Sequence, residues 1–118
     1  MNHIFYRCSS LKELNLSNFN TKNVIDMSSM FQGCSSLKEI NLNSFNTIKV
    51  IKMNNMFSDC SALKILKIDN FNFDKVKNIN YMFAGCSDKI IKKMKNHYKI
   101  LKEEAYKNFK IYYSCHRN

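Results

Sequence analysis

Residues 11–34 read LKELNLSNFNTKNVIDMSSMFQGC, and residues 37–60 read LKEINLNSFNTIKVIKMNNMFSDC. The two stretches agree at apolar and polar positions alike. A third, looser copy begins at Leu63. Cys8, Cys34, Cys60 and Cys86 each stand 26 residues apart, so one 26-residue unit is written three times. Leu11, Leu14, Leu16 and Phe19 recur as Leu37, Ile40, Leu42 and Phe45, then as Leu63, Leu66, Ile68 and Phe71. Val24, Met27, Met30 and Phe31 recur in the same way. Phe5 stands three residues before Cys8, as Phe31 stands before Cys34, so the chain opens on the end of an earlier unit.

The spacing carries a structural expectation. In Leu-x-x-Leu-x-Leu the last two apolar residues are two apart, the period of a strand. A short strand cannot bury its apolar face alone, so neighbouring copies stack. A unit of this length with this pattern predicts an α/β leucine-rich repeat solenoid. Its parts would be a short parallel β-sheet on one face, short helical turns on the other, and a C-terminal amphipathic helix as cap. The partial unit is 1–7, the full units are 8–33, 34–59 and 60–85, and the solenoid spans 1–87. Val24, Met27, Met30 and Phe31 follow a helical rhythm, which predicts helical turns near 28–32, 54–58 and 80–84. Gly33, Asp59 and Gly85 share one register position and suit a left-handed residue that ends each turn.

The last third leaves this register. Ile90, Met94, Tyr98, Leu101, Ala105 and Phe109 fall at helical spacing behind Ser87 or Asp88 as cap. They predict one amphipathic helix from about 88 to 110, with a possible break near Asn96. Residues 88–118 would then form a basic helical cap and tail. The chain carries a net charge of +10 over 118 residues. Residues 1–85 hold ten Lys or Arg against six acids, and 86–118 hold nine against three, so the tail carries +6 of it. Such a field attracts anionic partners without naming one.

The side chains that bear chemistry form no catalytic pattern. The cysteines repeat every 26 residues, with none of the close pairs that zinc sites use. Buried thiols that fill one core slot per unit are expected, and Cys115 stands apart as the reactive one. His3, His97 and His116 have no catalytic spacing to a nucleophile. No glycine-rich phosphate loop occurs. The expectation is a chain that is not an enzyme and needs no cofactor or metal. No run approaches the length of a membrane span, and the start lacks the apolar stretch of a secretory signal. As written, the chain is expected to stay where it is made, or to lie at the cell surface if it is a piece of an exported protein.

Two surfaces are candidates for binding. The outward strand positions are Glu13, Asn15 and Ser17; Glu39, Asn41 and Asn43; Ile65, Lys67 and Asp69. They vary between units while the buried positions do not, and they form the expected protein-binding face. Glu13 and Glu39 share a register position and could hold a cation between them or be balanced by Lys12 and Lys38. The second surface is Lys89, Lys92, Lys93, Lys95, Lys99 and Lys102 on the tail helix, where nucleic acid or an anionic membrane would bind. The thin N-terminal end leaves a strand edge open and predicts self-association there.

The pattern Leu-x-x-Leu-x-Leu-x-x-Phe-x-Thr-x-x-Val-x-x-Met-x-x-Met-Phe-x-x-Cys, followed by residues 11–34 and 37–60, resembles the BspA-type leucine-rich repeat surface proteins. The likeness covers about residues 4–87 and departs at Phe73, where Thr is expected, and at Ile79, where Met is expected. It implies a non-catalytic protein-protein interaction or adhesion module, with no catalytic residue to carry over.

Overall fold

The computed structural model describes residues 1–97 and 103–106. It holds two strands, β1 (Glu39–Asn41) and β2 (Ile65–Lys67), one α-helix, α1 (Asp88–His97), and a 3₁₀ turn at Glu103–Ala105. The strands pair in parallel, with Glu39 opposite Ile65, Ile40 opposite Leu66 and Asn41 opposite Lys67. Each strand buries only its middle residue, Ile40 or Leu66, as alternation requires. The radius of gyration is 13.6 Å, close to the ~13.5 Å of a compact domain of this length.

This overturns the leucine-rich repeat solenoid. The sheet has two strands of three residues, and residues 11–16 add no third. The expected helical turns at 28–32, 54–58 and 80–84 do not form either. Ser29, Asn55 and Tyr81, one per unit, sit at φ of 56°, 59° and 60°. A left-handed residue at that point stops a right-handed helix. It also redirects the amides. Met27, Ser29, Phe31 and Gly33 donate to the carbonyls of Lys52, Asn54, Met56 and Ser58 at 2.8–2.9 Å, in the next unit rather than four residues back. Met53, Asn55, Phe57 and Asp59 repeat this toward Asn78, Asn80, Met82 and Ala84. The Met and Phe spacing that looked helical is therefore a run of tight turns whose hydrogen bonds cross between units. The position of Gly33, Asp59 and Gly85 is left-handed, with φ of 78°, 59° and 77°, and Arg7 shares it at 57°.

Equivalent side chains lie over one another inside this compact body. Phe5, Phe31, Phe57 and Phe83 stack face to face at centroid distances of 5.5, 5.7 and 5.7 Å. Tyr106 continues the column at 5.6 Å from Phe83. Cys34, Cys60 and Cys86 form a second buried column. Each thiol donates to the carbonyl of the phenylalanine one unit back, Phe5, Phe31 or Phe57, at 3.1 Å. A third column is polar. The Thr21 hydroxyl accepts the amide of Asn46 at 2.8 Å, and Thr47 accepts that of Asn72 at the same distance. Phe73 takes the third place in that column. Its departure from Thr falls in the unit beyond which the 26-residue register stops.

The C-terminal side of the stack is covered. Ser87 caps α1 through its hydroxyl, which accepts the Ile90 amide at 3.3 Å, and Ile90 and Met94 are buried against the third unit. Tyr81 and Phe83 donate to the carbonyls of Glu104 and Ala105 at 2.6 and 2.7 Å, so the 3₁₀ turn stands where the next unit's turn would be. The single helix expected over 88–110 is thus corrected: α1 ends at His97, and 103–105 is a separate turn. Tyr98, Leu101, Phe109, Lys99, Lys102, Cys115 and His116 lie outside the described residues.

Candidate association surface at the open end

No described residue covers the opposite side of the stack, made by the first 26 residues. The burial pattern shows the consequence directly. Phe5, Cys8, Leu11, Leu14, Phe19 and Val24 are only partly buried. Their counterparts Phe31, Cys34, Leu37, Ile40, Phe45 and Val50 are 0–2% exposed. Ile4 is 45% exposed, whereas Met30, Met56 and Met82 in the same column are fully buried. The first unit therefore presents the apolar set that the second unit buries.

The backbone is open on the same side. His3, Phe5 and Arg7 donate to the carbonyls of Ser28, Met30 and Gln32. One register back, the carbonyls of Asn2, Ile4 and Tyr6 receive no amide from any described residue. The front seam is also incomplete. Between the second and third units, Ile65 donates to the Lys38 carbonyl at 3.1 Å and Leu42 to that of Lys67 at 2.8 Å. Among the described residues these bonds have no counterparts between 12–16 and 38–42. A groove of about 430 Å³ opens there, lined by Leu14, Asn15, Leu16, Ser17, Asn41, Asn43 and Ser44.

Of the nine outward strand positions, eight (Glu13, Asn15, Ser17, Glu39, Asn41, Ile65, Lys67 and Asp69) are exposed and one, Asn43, is half-buried. Four of them, Asn15, Ser17, Asn41 and Asn43, border the groove. Their carboxamide oxygens are engaged within the fold: Asn15 accepts the Ser17 amide at 3.0 Å, Asn41 that of Asn43 at 3.0 Å, and Asn43 that of Asp69 at 3.1 Å. Glu39 pairs with Lys67 at 3.6 Å, not with Lys38, and both side chains are about half exposed. Such a pair contributes little stability. No group of three or more His, Cys, Asp or Glu among the described residues could hold a metal ion.

The thiol column is chemically quiet. Cys8, Cys34, Cys60 and Cys86 are unpaired. Burial pushes the Cys34 thiol up to about 11 and Cys86 to about 12, and raises Cys60 as well. A protonated thiol that donates to a carbonyl is a poor nucleophile. Asp26 differs. Burial raises its pKa, but the Ser28 hydrogen bonds and the Lys52 charge outweigh this and hold it below the usual carboxylate value.

Of the six tail lysines, Lys89, Lys92, Lys93 and Lys95 lie on α1. Lys89, Lys92 and Lys93 are exposed on α1, but Lys95 lies over the Tyr106 ring at 5.0 Å. The described helix α1 spans Asp88–His97, and Lys99 and Lys102 lie outside the described residues. The nucleic-acid and anionic-membrane reading is corrected on the described residues: they offer four lysines on one ten-residue helix, one of them engaged with Tyr106. No helix among the described residues is long and apolar enough to cross a membrane.

The fold and this surface define a small compact domain whose chain keeps a 26-residue hydrogen-bonded register, covered at one end and open at the other. Residues 1–110 match the family described as Mycoplasma protein of unknown function, DUF285, and the chain belongs to that family. No curated protein and no solved structure matches it. The resemblance to BspA-type leucine-rich repeat surface proteins is corrected accordingly. The family matched is a different one, and the structure lacks the extended sheet and helical return turns of a leucine-rich repeat. The adhesion-module reading drawn from that resemblance goes with it.

Open-end features were only partly visible beforehand. The short run before Cys8 marked the exposed edge. Of the left-handed residues at 29, 55 and 81, only Asn55 carries a sequence signal, since Asn tolerates that conformation better than most residues.

Proposed function

We propose that this chain is a non-catalytic assembly domain that associates with a second copy of itself through its open N-terminal end. The observation that carries the reading is the contrast within each apolar column. Phe5, Leu11, Phe19 and Val24 remain partly exposed where the next residue in the same column is fully covered. Covering that surface is the favourable step, since apolar burial yields roughly 25 cal/mol per Å².

Charge supports a second copy as the occupant. Residues 1–26 carry three Lys or Arg against two acids, +1 in all, while the whole chain carries +10. An isologous contact through the first unit brings together the least charged parts of two strongly basic bodies. The carbonyls of Asn2, Ile4 and Tyr6 then need donors, and the exposed Arg7 of a second copy can supply them.

The test is sedimentation equilibrium over a wide concentration range. The expected result is a reversible dimer for the native chain and a shift to monomer for Ile4→Lys, a change at an exposed side chain that leaves the core intact. A monomeric mass at every concentration, or a dimer that Ile4→Lys does not weaken, overturns the proposal.

A further inference from the structure

The flank of the domain between the front strands and the tight turns carries a second surface with a different composition. It is formed by residues 21–26, 47–52 and 73–78, which lie side by side. Ile51 donates its amide to Ile25 at 2.7 Å and Lys77 donates to Ile51 at 2.8 Å. Bridges join Asp26 to Lys52 and Lys52 to Asn78 in parallel. Lys49 reaches back one unit to the Asn23 carboxamide at 2.9 Å, which ties the rows together at their outer edge.

Two properties coincide here. Ile25 and Ile48 are 56% and 52% exposed, the highest values among the large apolar side chains described, and Ile51 next to them is half-buried. These three segments also hold five lysines against two aspartates. Asp26, one of the two, is occupied by the Ser28 amide and the charge of Lys52. The flank is therefore a set of branched apolar side chains framed mainly by cations: Lys52 and Lys77 stand beside Ile51, and Lys22 and Asp74 hold the register position of Ile48 in the units on either side. Isolated exposed isoleucines are ordinary, but Ile25 beside Ile51, with Ile48 three residues before Ile51 and a net positive rim around them, mark a contact surface.

We infer that this flank docks an acidic peptide segment whose carboxylates meet the lysine rim and whose apolar side chains cover Ile25, Ile48 and Ile51. Charge complementarity selects an acidic partner. The isoleucines select against a partner that offers charge alone, because a polyanion leaves them in water. The surface is separate from the open N-terminal end, and the inference does not depend on self-association.

A fluorescent peptide of alternating glutamate and leucine is the probe, with three competitors: a glutamate–glycine peptide of equal length, an oligothymidylate, and phosphatidylglycerol-containing vesicles. The expected result is saturable binding of the glutamate–leucine peptide that weakens with added salt. The double variant Ile25→Asn, Ile48→Asn weakens it by about tenfold or more. Both side chains are more than half exposed, so the variant should fold, and a native circular dichroism spectrum checks this. Lys52→Glu with Lys77→Glu weakens binding by a similar factor, while Lys92→Glu with Lys93→Glu on α1 leaves it unchanged. The inference is overturned if the peptide fails to bind, if the isoleucine variant binds as the native chain does, or if oligothymidylate or the vesicles displace the peptide more effectively than the glutamate–glycine control.

Discussion

Phe57 is the centre of the aromatic column, and truncating it to alanine tests whether the columns hold the domain together. Its ring is fully buried and stacks on Phe31 and Phe83, at 5.7 Å on each side with the planes within 3° and 8° of parallel. Phe→Ala at a buried site costs about 3–5 kcal/mol through lost transfer energy and the cavity left behind. Two ring contacts are lost as well, each worth about 0.5–1.5 kcal/mol beyond area. These contributions overlap, so the expected cost is about 4–5 kcal/mol. That is a large share of the roughly 5–15 kcal/mol that holds a domain of this size.

Phe5→Ala is the internal control. Phe5 stacks on Phe31 at 5.5 Å, but it is only partly buried and no described residue covers its outer face. Its expected cost is about 1–2 kcal/mol, from partial burial and a single stacked neighbour. Urea unfolding followed by far-ultraviolet circular dichroism reads both variants, with the slope checked for constancy. If Phe57→Ala and Phe5→Ala cost the same within about 1 kcal/mol, burial rises too little along the column for the open-end argument to stand.

Thiol labelling of a Cys115→Ser variant should modify Cys8 first, with Cys34, Cys60 and Cys86 reacting only as the domain unfolds; comparable rates at all four by mass spectrometry would contradict the buried column. Alkaline pH should destabilise the fold. The folded thiols of Cys34 and Cys86 lose their protons at about 11 and 12, against an ordinary value of 9.0. The folded state therefore binds more protons above pH 9, and the stability this supplies below that point is lost as pH rises toward 11–12. Replacing both with alanine should flatten urea midpoints over that window, and unchanged curvature would count against it. Gly85→Ala should cost more than Gly33→Ala. A β-carbon at 85 overlaps the Asp59 carboxylate, whereas at 33 it makes only tight contacts, at 3.2–3.3 Å, with the Arg7 side chain and Cα. Asp59→Gly should recover about 0.5–1 kcal/mol of the Gly85→Ala loss, and strict additivity of the two changes in thermal melts would refute the contact.

The 26-residue register was legible because it is written in residues that packing dictates. Phe31, Phe57 and Phe83 share one slot, as do Cys34, Cys60 and Cys86, and a slot repeated in space tolerates one kind of side chain. What the pattern could not convey is where each amide points. Val24, Met27, Met30 and Phe31 have the spacing of a helix face, yet Ser29 at φ 56° turns the Met27 and Phe31 amides toward the next unit. Apolar spacing reports which side chains face inward and is silent about whether the backbone bonds to itself or to a neighbour. The same gap explains the front. Leu14 and Leu16 carry the strand pattern as clearly as Ile40 and Leu42. Residues 11–16 nevertheless form no strand, because a strand is a pairing and no amide bond joins them to β1.

The tail failed for a further reason. Ile90 and Met94 were correctly spaced for α1, and both are buried. The helical pattern continued to Ala105, but Tyr81 and Phe83 hold amides that the third unit leaves unpaired, and a helix has no spare carbonyls along its side to accept them. The 3₁₀ turn at Glu103–Ala105 offers those carbonyls and carries Tyr106 onto the Phe83 ring. A stack with exposed donors thus selects, from a segment able to form helix, the conformation that satisfies them. The first unit presents the opposite case. Asn2, Ile4 and Tyr6 expose acceptors that no described segment reaches, and the polarity of the register requires that whatever covers them bring donors.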